Sequence, residues 1–255
     1  KLFFRPHFEL DFRLQRDMVS ESFPLMLNHL LATLFFKIDI PMIRTIRGDT
    51  EVGRYGTAYK FVDAFNIIPS FFTFALFPIM SRQAITDRPA LVRTYHLAVK
   101  LLVGTALPLA VMVTFLAIPM VGMLGGREFL PDGALALQLM VWSIPFGWIN
   151  SVTNYLLVAL GQQRALTRAF AIAVTFNIVI NAIFIPIYGF RAAAVSTILS
   201  EIVVGAFFQW YVYRHLQRTP WMHLFWRLAV AAGIMVVVTW IGMQLHLILG
   251  LLLGG

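Results

Sequence analysis

The sequence lacks cysteine and contains few charged residues. Without cysteine, disulfide bonds and thiolate-ligated metal sites are excluded. Charged residues make up 13% of the 255 residues and hydrophobic residues 59%, whereas an ordinary soluble domain has roughly 25% and 45–50%. The mean hydropathy is +0.78. A soluble protein of this length has no interior large enough for so much apolar surface, but a lipid bilayer accepts it.

Sequence motifs for catalysis and for nucleotide binding are also missing. There is no GxxxxGK[ST] phosphate loop, no HExxH, no GxSxG and no cluster of His and carboxylates at metal-ligand spacing. We therefore predict that the protein is not an enzyme and has no catalytic residue, cofactor or metal site. The net charge of +8 is carried by basic residues in short segments between apolar runs. This distribution is typical of membrane proteins, so no nucleic-acid partner is expected.

Long apolar runs predict the fold class, an all-α polytopic transmembrane helical bundle with seven spans and a truncated eighth. Several uncharged runs exceed the ~20 residues needed to cross ~30 Å of hydrocarbon. The predicted spans are Val19–Ile43, Thr57–Ser81, Leu97–Val121, Gly133–Ala159, Thr167–Tyr188, Ala192–Tyr213 and Trp226–Leu245. The last ten residues, HLILGLLLGG, resemble the start of a further helix that has been cut.

The predicted loops are short and polar: RGDTEVG, RQAITDRPA and GGREFLPDG follow the first three spans. Lys and Arg are distributed unequally between the two sets of alternating segments. The set that includes the N-terminal segment has twelve, and the other set has five. Because cytoplasmic loops of membrane proteins are enriched in basic residues, we predict a cytoplasmic N-terminus.

Ionisable residues inside apolar spans are costly and therefore point to function or to a specific partner. Glu201 lies near the middle of the sixth span, and Thr197, four residues earlier, shares its helix face. We therefore expect the Thr197 hydroxyl to reach the Glu201 carboxyl. Lys37 and Asp39 lie in the first span but are two residues apart, so they point to opposite sides and should not pair.

Other polar residues in the spans have both structural and functional interpretations. Lys60 and Asp63 are three residues apart in the second span, and Lys60 is close enough to the interface to extend its ammonium into water. Asn177 and Asn181 share one face of the fifth span, where asparagines commonly hydrogen-bond between helices. Ser200 belongs to a row of small residues in the sixth span, which is typical of close helix packing.

Two segments resemble bacterial polysaccharide flippases of the multidrug/oligosaccharidyl-lipid/polysaccharide exporter superfamily. ESFPLMLNHLLATLFFKIDIPMI followed by GDTEVGRYGTAYKFVDAFNIIPSFFTFALFPIMSR is similar to the seventh and eighth helices of that family. LGQQRALTRAFAIAVTFNIVINAIFIPIYGFRAAAVSTILSEIV is similar to its eleventh and twelfth helices. The first match rests on Asp39, Val52, Gly53, Tyr55, Ala58, Lys60, Pro78, Ser81 and Arg82. The second rests on Gly161, Asn177, Asn181, Ile185, Pro186, Gly189, Ala193, Ala194, Thr197, Ser200 and Glu201, and departs at Ala192, where the family usually has Gly.

This resemblance implies that the chain is the C-terminal half of a two-bundle transporter for O-antigen or a similar oligosaccharide-lipid. Residues 1–17 would be a cytoplasmic N-terminal segment or an inter-bundle linker. Residues 18–215 would form a six-helix C-terminal bundle, and residues 216–255 an additional transmembrane helix with a truncated hairpin. The expected location is the bacterial inner membrane, as a multi-pass protein.

The function implied by the resemblance is ion-coupled transfer of a polyprenyl-pyrophosphate-linked oligosaccharide from the cytoplasmic to the outer leaflet. Substrate contacts would come from Lys37, Lys60, Asn177, Asn181 and Ser200, with the lysines facing phosphates and the others facing sugar hydroxyls. Proton or sodium coupling would involve the acidic residues Asp39, Asp63 and Glu201.

The partners implied by the resemblance are the lipid-linked oligosaccharide, membrane lipids and the missing N-terminal helical bundle, with a polysaccharide polymerase or glycosyltransferases as further candidates. Two alternatives stay open. One is a multidrug exporter of the same superfamily that binds organic cations. The other is a membrane scaffold for polysaccharide synthesis enzymes that transports nothing.

Overall fold

The computed structural model describes residues 11–216, 221, 226, 228, 230–239 and 241–242. The polypeptide between residues 11 and 216 is almost entirely helical. Its helices are α1 Phe12–Lys37, α2 Asp39–Arg47, α3 Asp49–Phe65, α4 Ile67–Thr86, α5 Arg88–Gly125, α6 Asp132–Met140, α7 Ile144–Ala159, α8 Gln163–Tyr188 and α9 Phe190–His215.

The predicted all-α polytopic bundle is confirmed, but the described residues contain fewer spans than the seven predicted. Five helical stretches are long and apolar enough to cross a membrane: Asp49–Thr86, Arg88–Gly125, Asp132–Ala159, Gln163–Tyr188 and Phe190–His215. The pair Met26–Lys37 and Asp39–Arg47, bent by 44°, is a sixth if it crosses as one unit. Of the seventh predicted span, the structure describes the helical part Val230–Thr239, which is too short to cross alone. That span stays a prediction, and the cut eighth helix lies outside the described residues.

Proline sets the positions at which three of these spans are interrupted. The chain breaks at Ile38 between α1 and α2, and at Asn66 between α3 and α4. Pro41 and Pro69 each follow the break by three residues. Proline has no N–H to bond the carbonyl four residues earlier, and its ring pushes that carbonyl away. Pro145 acts in the same way after the short 3₁₀ turn between α6 and α7.

The connections at the ends of the spans are shorter than predicted. In place of the loop RGDTEVG, only Gly48, with a φ of +87°, separates α2 from α3. Glycine permits this positive φ without strain, so one residue is enough to reverse the chain direction. Two acidic residues in the first turn of α3 also complement the positive end of its helix dipole. In place of RQAITDRPA, the single residue Asp87 separates α4 from α5, and its Oδ1 accepts the N–H of Ala90 at 2.9 Å. The third predicted loop persists as a non-α connection between Gly125 and Asp132.

Small residues allow the helices to pack closely, and large apolar residues face outward. Ala98, Ala106 and Ala110 are buried along α5, which packs against α6 and α7. On the outside, side chains such as Ile172 and Ile183 of α8 remain exposed. Lipid adds no hydrophobic force between helices, so close van der Waals packing of small residues is what holds such a bundle together.

An arginine and a glutamate fasten α2 and α3 to the turn between α8 and α9. The Arg47 Nε donates to the carbonyl oxygen of Ile185 at 3.1 Å, and its Nη2 donates to that of Ile187 at 3.0 Å. The Glu51 Oε2 accepts the N–H of Phe190, the first residue of α9, at 2.8 Å. These contacts satisfy backbone groups that a helix end otherwise leaves unpaired. They also place an anion at the positive N-terminus of α9.

The same end of the bundle carries ion pairs that join α3, α6 and α9. Arg54 lies 3.1 Å from Asp132 at the start of α6, and Arg191 of α9 lies 3.8 Å from the same carboxylate. We call Arg47, Glu51, Arg54, Asp132 and Arg191 the turn network.

We predict that Gly189→Ala lowers the thermal stability of the protein. Gly189 has φ +59° and ψ −141°, and an added Cβ would collide with the Glu51 carboxylate. An alanine in this conformation costs roughly 1–3 kcal/mol, and displacing Glu51 removes its bond to Phe190. The measurement is the melting temperature of the purified full-length protein in detergent. Gly56→Ala is the matched control, since nothing lies within 4 Å of its Cβ position inside α3. Equal melting temperatures for the two variants would contradict the prediction.

Candidate functional site

The carboxylate of Asp39 is buried where four helices meet. The break at Ile38 turns the chain so that Asp39, the first residue of α2, points inward, and it is 1% exposed. Its Oδ2 accepts from the Tyr55 hydroxyl of α3 and lies 2.9 Å from the Thr197 hydroxyl of α9. Its Oδ1 accepts from the Asn181 Nδ2 of α8 at 2.7 Å. Among the described residues, no basic side chain forms an ion pair with Asp39.

Further hydrogen bonds extend this arrangement along the interface of α8 and α9. The Asn181 Nδ2 also donates to the Asn177 Oδ1 at 2.9 Å, and the Ser196 hydroxyl donates to the Asn181 Oδ1 at 2.5 Å. The Asn177 Nδ2 donates to the Ser200 hydroxyl oxygen at 3.2 Å. We call this group the Asp39 cluster; its members are Asp39, Tyr55, Asn177, Asn181, Ser196, Thr197 and Ser200.

The Asp39 cluster has the chemistry of a site for a proton or a small hard cation. A buried carboxylate with no basic partner requires a proton or a cation to offset its charge. Carboxylate, amide and hydroxyl oxygens are the ligands that such cations prefer. The single Thr197 hydroxyl proton faces two acceptors at 2.9 Å, the Asp39 Oδ2 and the carbonyl of Ala193. In the part of the chain that the structure describes, three or more His, Cys, Asp or Glu residues never lie together as a metal-binding group.

A cavity of about 510 Å³ lies beside the Asp39 cluster and is lined by residues of α1, α3, α4, α7, α8 and α9. Lys37 and Asp63 line it and form an ion pair with 2.8 Å between Nζ and Oδ2. Both side chains are about half exposed, at 50% and 48%. The Lys37 ammonium also lies 4.4 Å from the centre of the Tyr59 ring. Tyr59 is fixed because its hydroxyl donates to the carbonyl of Phe36 beside the bend.

Glu201 faces the same cavity and is held by α7. Its side chain is 5% exposed, and the Asn150 Nδ2 donates to its Oε2 at 2.7 Å and to its backbone carbonyl at 2.8 Å. A Cβ on Gly147 would lie 3.2 Å from the Glu201 Oε1, and one on Gly205 would lie 2.8 Å from the Asn150 Oδ1. The two glycines thus make room for this bridge between α7 and α9. The predicted contact between Thr197 and Glu201 was wrong, because Thr197 reaches Asp39 instead.

Uncharged polar groups form another part of the cavity wall. We call it the neutral wall; its members are Asn66, Ser70, Asn150, Ser151 and Asn154. The Trp148 Nε1 donates to the Asn66 Oδ1 at 3.1 Å. The Asn154 Oδ1 is shielded from solvent and has no hydrogen-bond partner in the described structure. Aromatic side chains complete the lining: Phe35, Phe36, Tyr155, Phe170 and Phe208.

The candidate site residues predicted from the sequence lie mainly in two sites, the cavity and the Asp39 cluster. Lys37, Asp63 and Glu201 line the cavity. The rest of the candidates, except Lys60, belong to the Asp39 cluster. Lys60 is exposed and lies outside both groups.

The neutral wall was not predicted from the sequence, although the spacing of two of its asparagines indicated it. Asn150 and Asn154 are four residues apart in a span without charge, the same pattern that drew attention to Asn177 and Asn181.

Comparison with known proteins gives a family match and a fold match. The sequence model of the MatE family matches residues 24–183. The chain is 27% identical over 242 residues to the Probable multidrug resistance protein YpnP of Bacillus subtilis, covering 90% of this chain and 54% of that protein. It is 24% identical over 127 residues to the Uncharacterized membrane protein MJ1068 of Methanocaldococcus jannaschii, covering 50% of this chain and 25% of that protein.

The fold is similar to that of a solved structure, Lipid II flippase MurJ in an inward closed conformation. The TM-score is 0.75 at 16% identity, and the match covers 92% of this chain and 50% of that one. At this identity the match shows a shared fold. The chain thus spans about half the length, or less, of the proteins that it matches.

Proposed function

The chain belongs to the MatE family, and from that premise we propose that it is part of a flippase of the multidrug/oligosaccharidyl-lipid/polysaccharide exporter superfamily. The substrate is a polyprenyl-pyrophosphate-linked oligosaccharide, moved from the cytoplasmic to the outer leaflet. The observation that carries the proposal is a cavity of about 510 Å³ between the helices of a membrane bundle, lined by aromatic rings and by polar side chains that include Lys37. Such a cavity suits a polar head group while the hydrocarbon tail of the substrate stays in lipid.

Lys37 is the proposed contact for the pyrophosphate. It is half exposed in the cavity, and an ammonium binds phosphate as a compact point charge. Its present partner Asp63 is equally exposed, so an incoming phosphate exchanges one anionic partner of Lys37 for another. Lys60 lies outside the cavity, and we therefore assign the phosphate contact to Lys37 alone.

The Asp39 cluster is the proposed site of the coupling ion, either a proton or sodium. Asp39 is buried, carries no ion pair with a described basic residue and is surrounded by oxygen ligands. Asn177, Asn181 and Ser200 bond within this cluster, so we propose that they position Asp39 and do not contact sugar. Alternating access then connects the occupancy of this site to the shape of the cavity.

The full assembly is proposed to include an N-terminal helical bundle that faces this one across the substrate path. The expected setting is the bacterial inner membrane, with the N-terminus of this chain in the cytoplasm. A polysaccharide polymerase or glycosyltransferases remain candidate partners.

One observation favours a second candidate, a multidrug exporter of the same superfamily. Glu201 lies in the cavity among aromatic rings, and its described contacts include no basic side chain. A carboxylate with aromatic walls is suited to an organic cation. A curated relative, YpnP, also carries the name of a probable multidrug resistance protein.

Neutralising Lys37 is expected to slow the proposed transport. In proteoliposomes of the full-length protein, Lys37→Gln should slow the transfer of a labelled lipid-linked oligosaccharide by roughly 10- to 100-fold, since a hydrogen bond to a charged group contributes about 1.5–3 kcal/mol. Lys100→Gln, at an exposed position of α5, is the matched control and should transport normally. Full activity of Lys37→Gln at normal protein levels would remove the phosphate assignment.

Removing the charge of Asp39 is expected to uncouple transport from the ion gradient. Asp39→Asn keeps the size of the side chain and one oxygen, but it cannot take up a proton and has no charge to balance that of a sodium ion. Transfer rates should be compared with and without an imposed proton or sodium gradient. The wild type should be accelerated by one of the gradients and Asp39→Asn by neither. Asp49→Asn, an exposed acid paired with Arg44, should behave as the wild type. A gradient response that survives in Asp39→Asn would place the ion elsewhere.

Glu201→Gln separates the two candidate functions. The glutamine oxygen can still accept from Asn150, so the bridge between α7 and α9 should persist. For a flippase, we expect weak binding of tetraphenylphosphonium by the wild type and less than about a twofold change in the variant. A multidrug exporter would instead bind this cation tightly and lose about tenfold or more in affinity, as a buried charge contact contributes at least about 1.4 kcal/mol. Glu128→Gln, at an exposed position, controls for a general effect of charge.

A further inference from the structure

We propose that the neutral wall is a carbohydrate subsite, with Asn154 as its main contact and Ser151 as a second. The proposal rests on the proposed flippase function and adds the part of the cavity that recognises the glycan. It separates the head group into two parts bound by different helices, with pyrophosphate at Lys37 of α1 and sugar at α7.

The chemistry of the neutral wall fits neutral hydroxyl groups better than it fits ions. Its members are amides and hydroxyls, which both donate and accept hydrogen bonds. A sugar hydroxyl likewise does both. A pyrophosphate has acceptor oxygens and high charge, so Lys37 suits it better, and an organic cation has Glu201 and the aromatic rings.

Three members of the neutral wall already bond within the protein, whereas Ser151 and Asn154 of α7 have no side-chain hydrogen bond among the described residues. The Asn150 Nδ2 is committed to Glu201. The Asn66 Oδ1 accepts from Trp148, and the Ser70 hydroxyl donates to the carbonyl of Asn66.

Asn154 differs, because its Oδ1 is shielded from solvent and has no donor among the described residues. A desolvated carbonyl without a donor is unfavourable. When the Asn154 amide turns toward the cavity, a ligand O–H can reach this oxygen and remove that penalty. An ionised pyrophosphate has no hydrogen to give to this oxygen, whereas every sugar hydroxyl does.

An aromatic side chain next to Asn154 adds an apolar surface. The Tyr155 ring lines the cavity and is held edge-on by Phe74 and Phe77, with ring centres 5.6 and 5.4 Å away. Sugar rings have an apolar face of C–H groups as well as a rim of hydroxyls. An aromatic body beside an amide offers contacts to both.

The test compares two lipids that differ in the sugar alone. Equilibrium binding of polyprenyl pyrophosphate, bare or carrying a neutral disaccharide, is measured with the full-length protein in nanodiscs. Asn154→Ala should weaken binding of the glycan-bearing lipid about tenfold, the value of one desolvated hydrogen bond, and leave binding of the bare lipid within about twofold. Ser151→Ala should show a smaller loss of the same selectivity. Lys37→Gln should weaken the binding of both lipids. The control is Thr175→Ala, at an exposed hydroxyl of α8 that bonds its own helix backbone, and it should change neither affinity.

The outcomes separate this proposal from the one on which it rests. If Asn154→Ala and Ser151→Ala leave the affinity for the glycan-bearing lipid unchanged, or weaken both lipids equally, the carbohydrate subsite is wrong while the loss in Lys37→Gln still supports the flippase. If the wild type binds neither lipid, the flippase proposal and the subsite are both overturned. If Asn154→Ala discriminates between the lipids but Lys37→Gln affects neither, the subsite stands and the phosphate contact is misplaced.

Discussion

The hydrogen bonds to the Asp39 carboxylate hold the centre of the structure together. They come from Tyr55 of α3, Asn181 of α8 and Thr197 of α9, and they converge on the first residue of α2. Inside a bilayer no water replaces a missing partner, so each helix must present its donor at one point. This requirement fixes the rotation of α8 and α9 relative to each other, while Pro41 sets the break at Ile38 that turns Asp39 toward them. The cavity then forms on the other side of that break.

The sequence was sufficient for the fold class and for the identity of several important polar residues. Apolar runs without charge identified the spans, because the bilayer sets a minimum length for them. Lys37, Asp39 and Glu201 stood out because ionisable groups are costly at that depth. The two-residue spacing also predicted correctly that Lys37 and Asp39 do not pair with each other. In the structure, Lys37 pairs with Asp63, and Asp39 accepts a hydrogen bond from Asn181.

The sequence did not predict which side chains on different helices contact each other. Thr197 was expected to reach Glu201 because they are one turn apart, but Asp39 lies closer to its hydroxyl across the interface with α2. The bridge from Asn150 to Glu201 depends on two glycines: Gly147 of α7 lies against Glu201, and Gly205 of α9 lies against Asn150, only after the two helices have packed. Helix ends were also misplaced, because side chains such as Asp87 cap a helix and shorten the loop by several residues.

The arginines of the turn network have structural contacts, a role separate from setting the orientation of the protein in the membrane. Arg47, Arg54 and Arg191 belong to the segments that carry fewer basic residues. All three are engaged, one with the carbonyls at the end of α8 and two with Asp132. Their positions are explained by helix ends and ion pairs.

The break at Ile38 has a mechanical consequence. Lys37 is the last residue of α1 and Asp39 is the first of α2, so a single residue joins the wall of the cavity to the buried cluster. In the proposed transport cycle, a torsional change at this 44° bend would displace the ammonium and the carboxylate at the same time. The cavity and the Asp39 cluster would then be coupled through three consecutive residues of backbone.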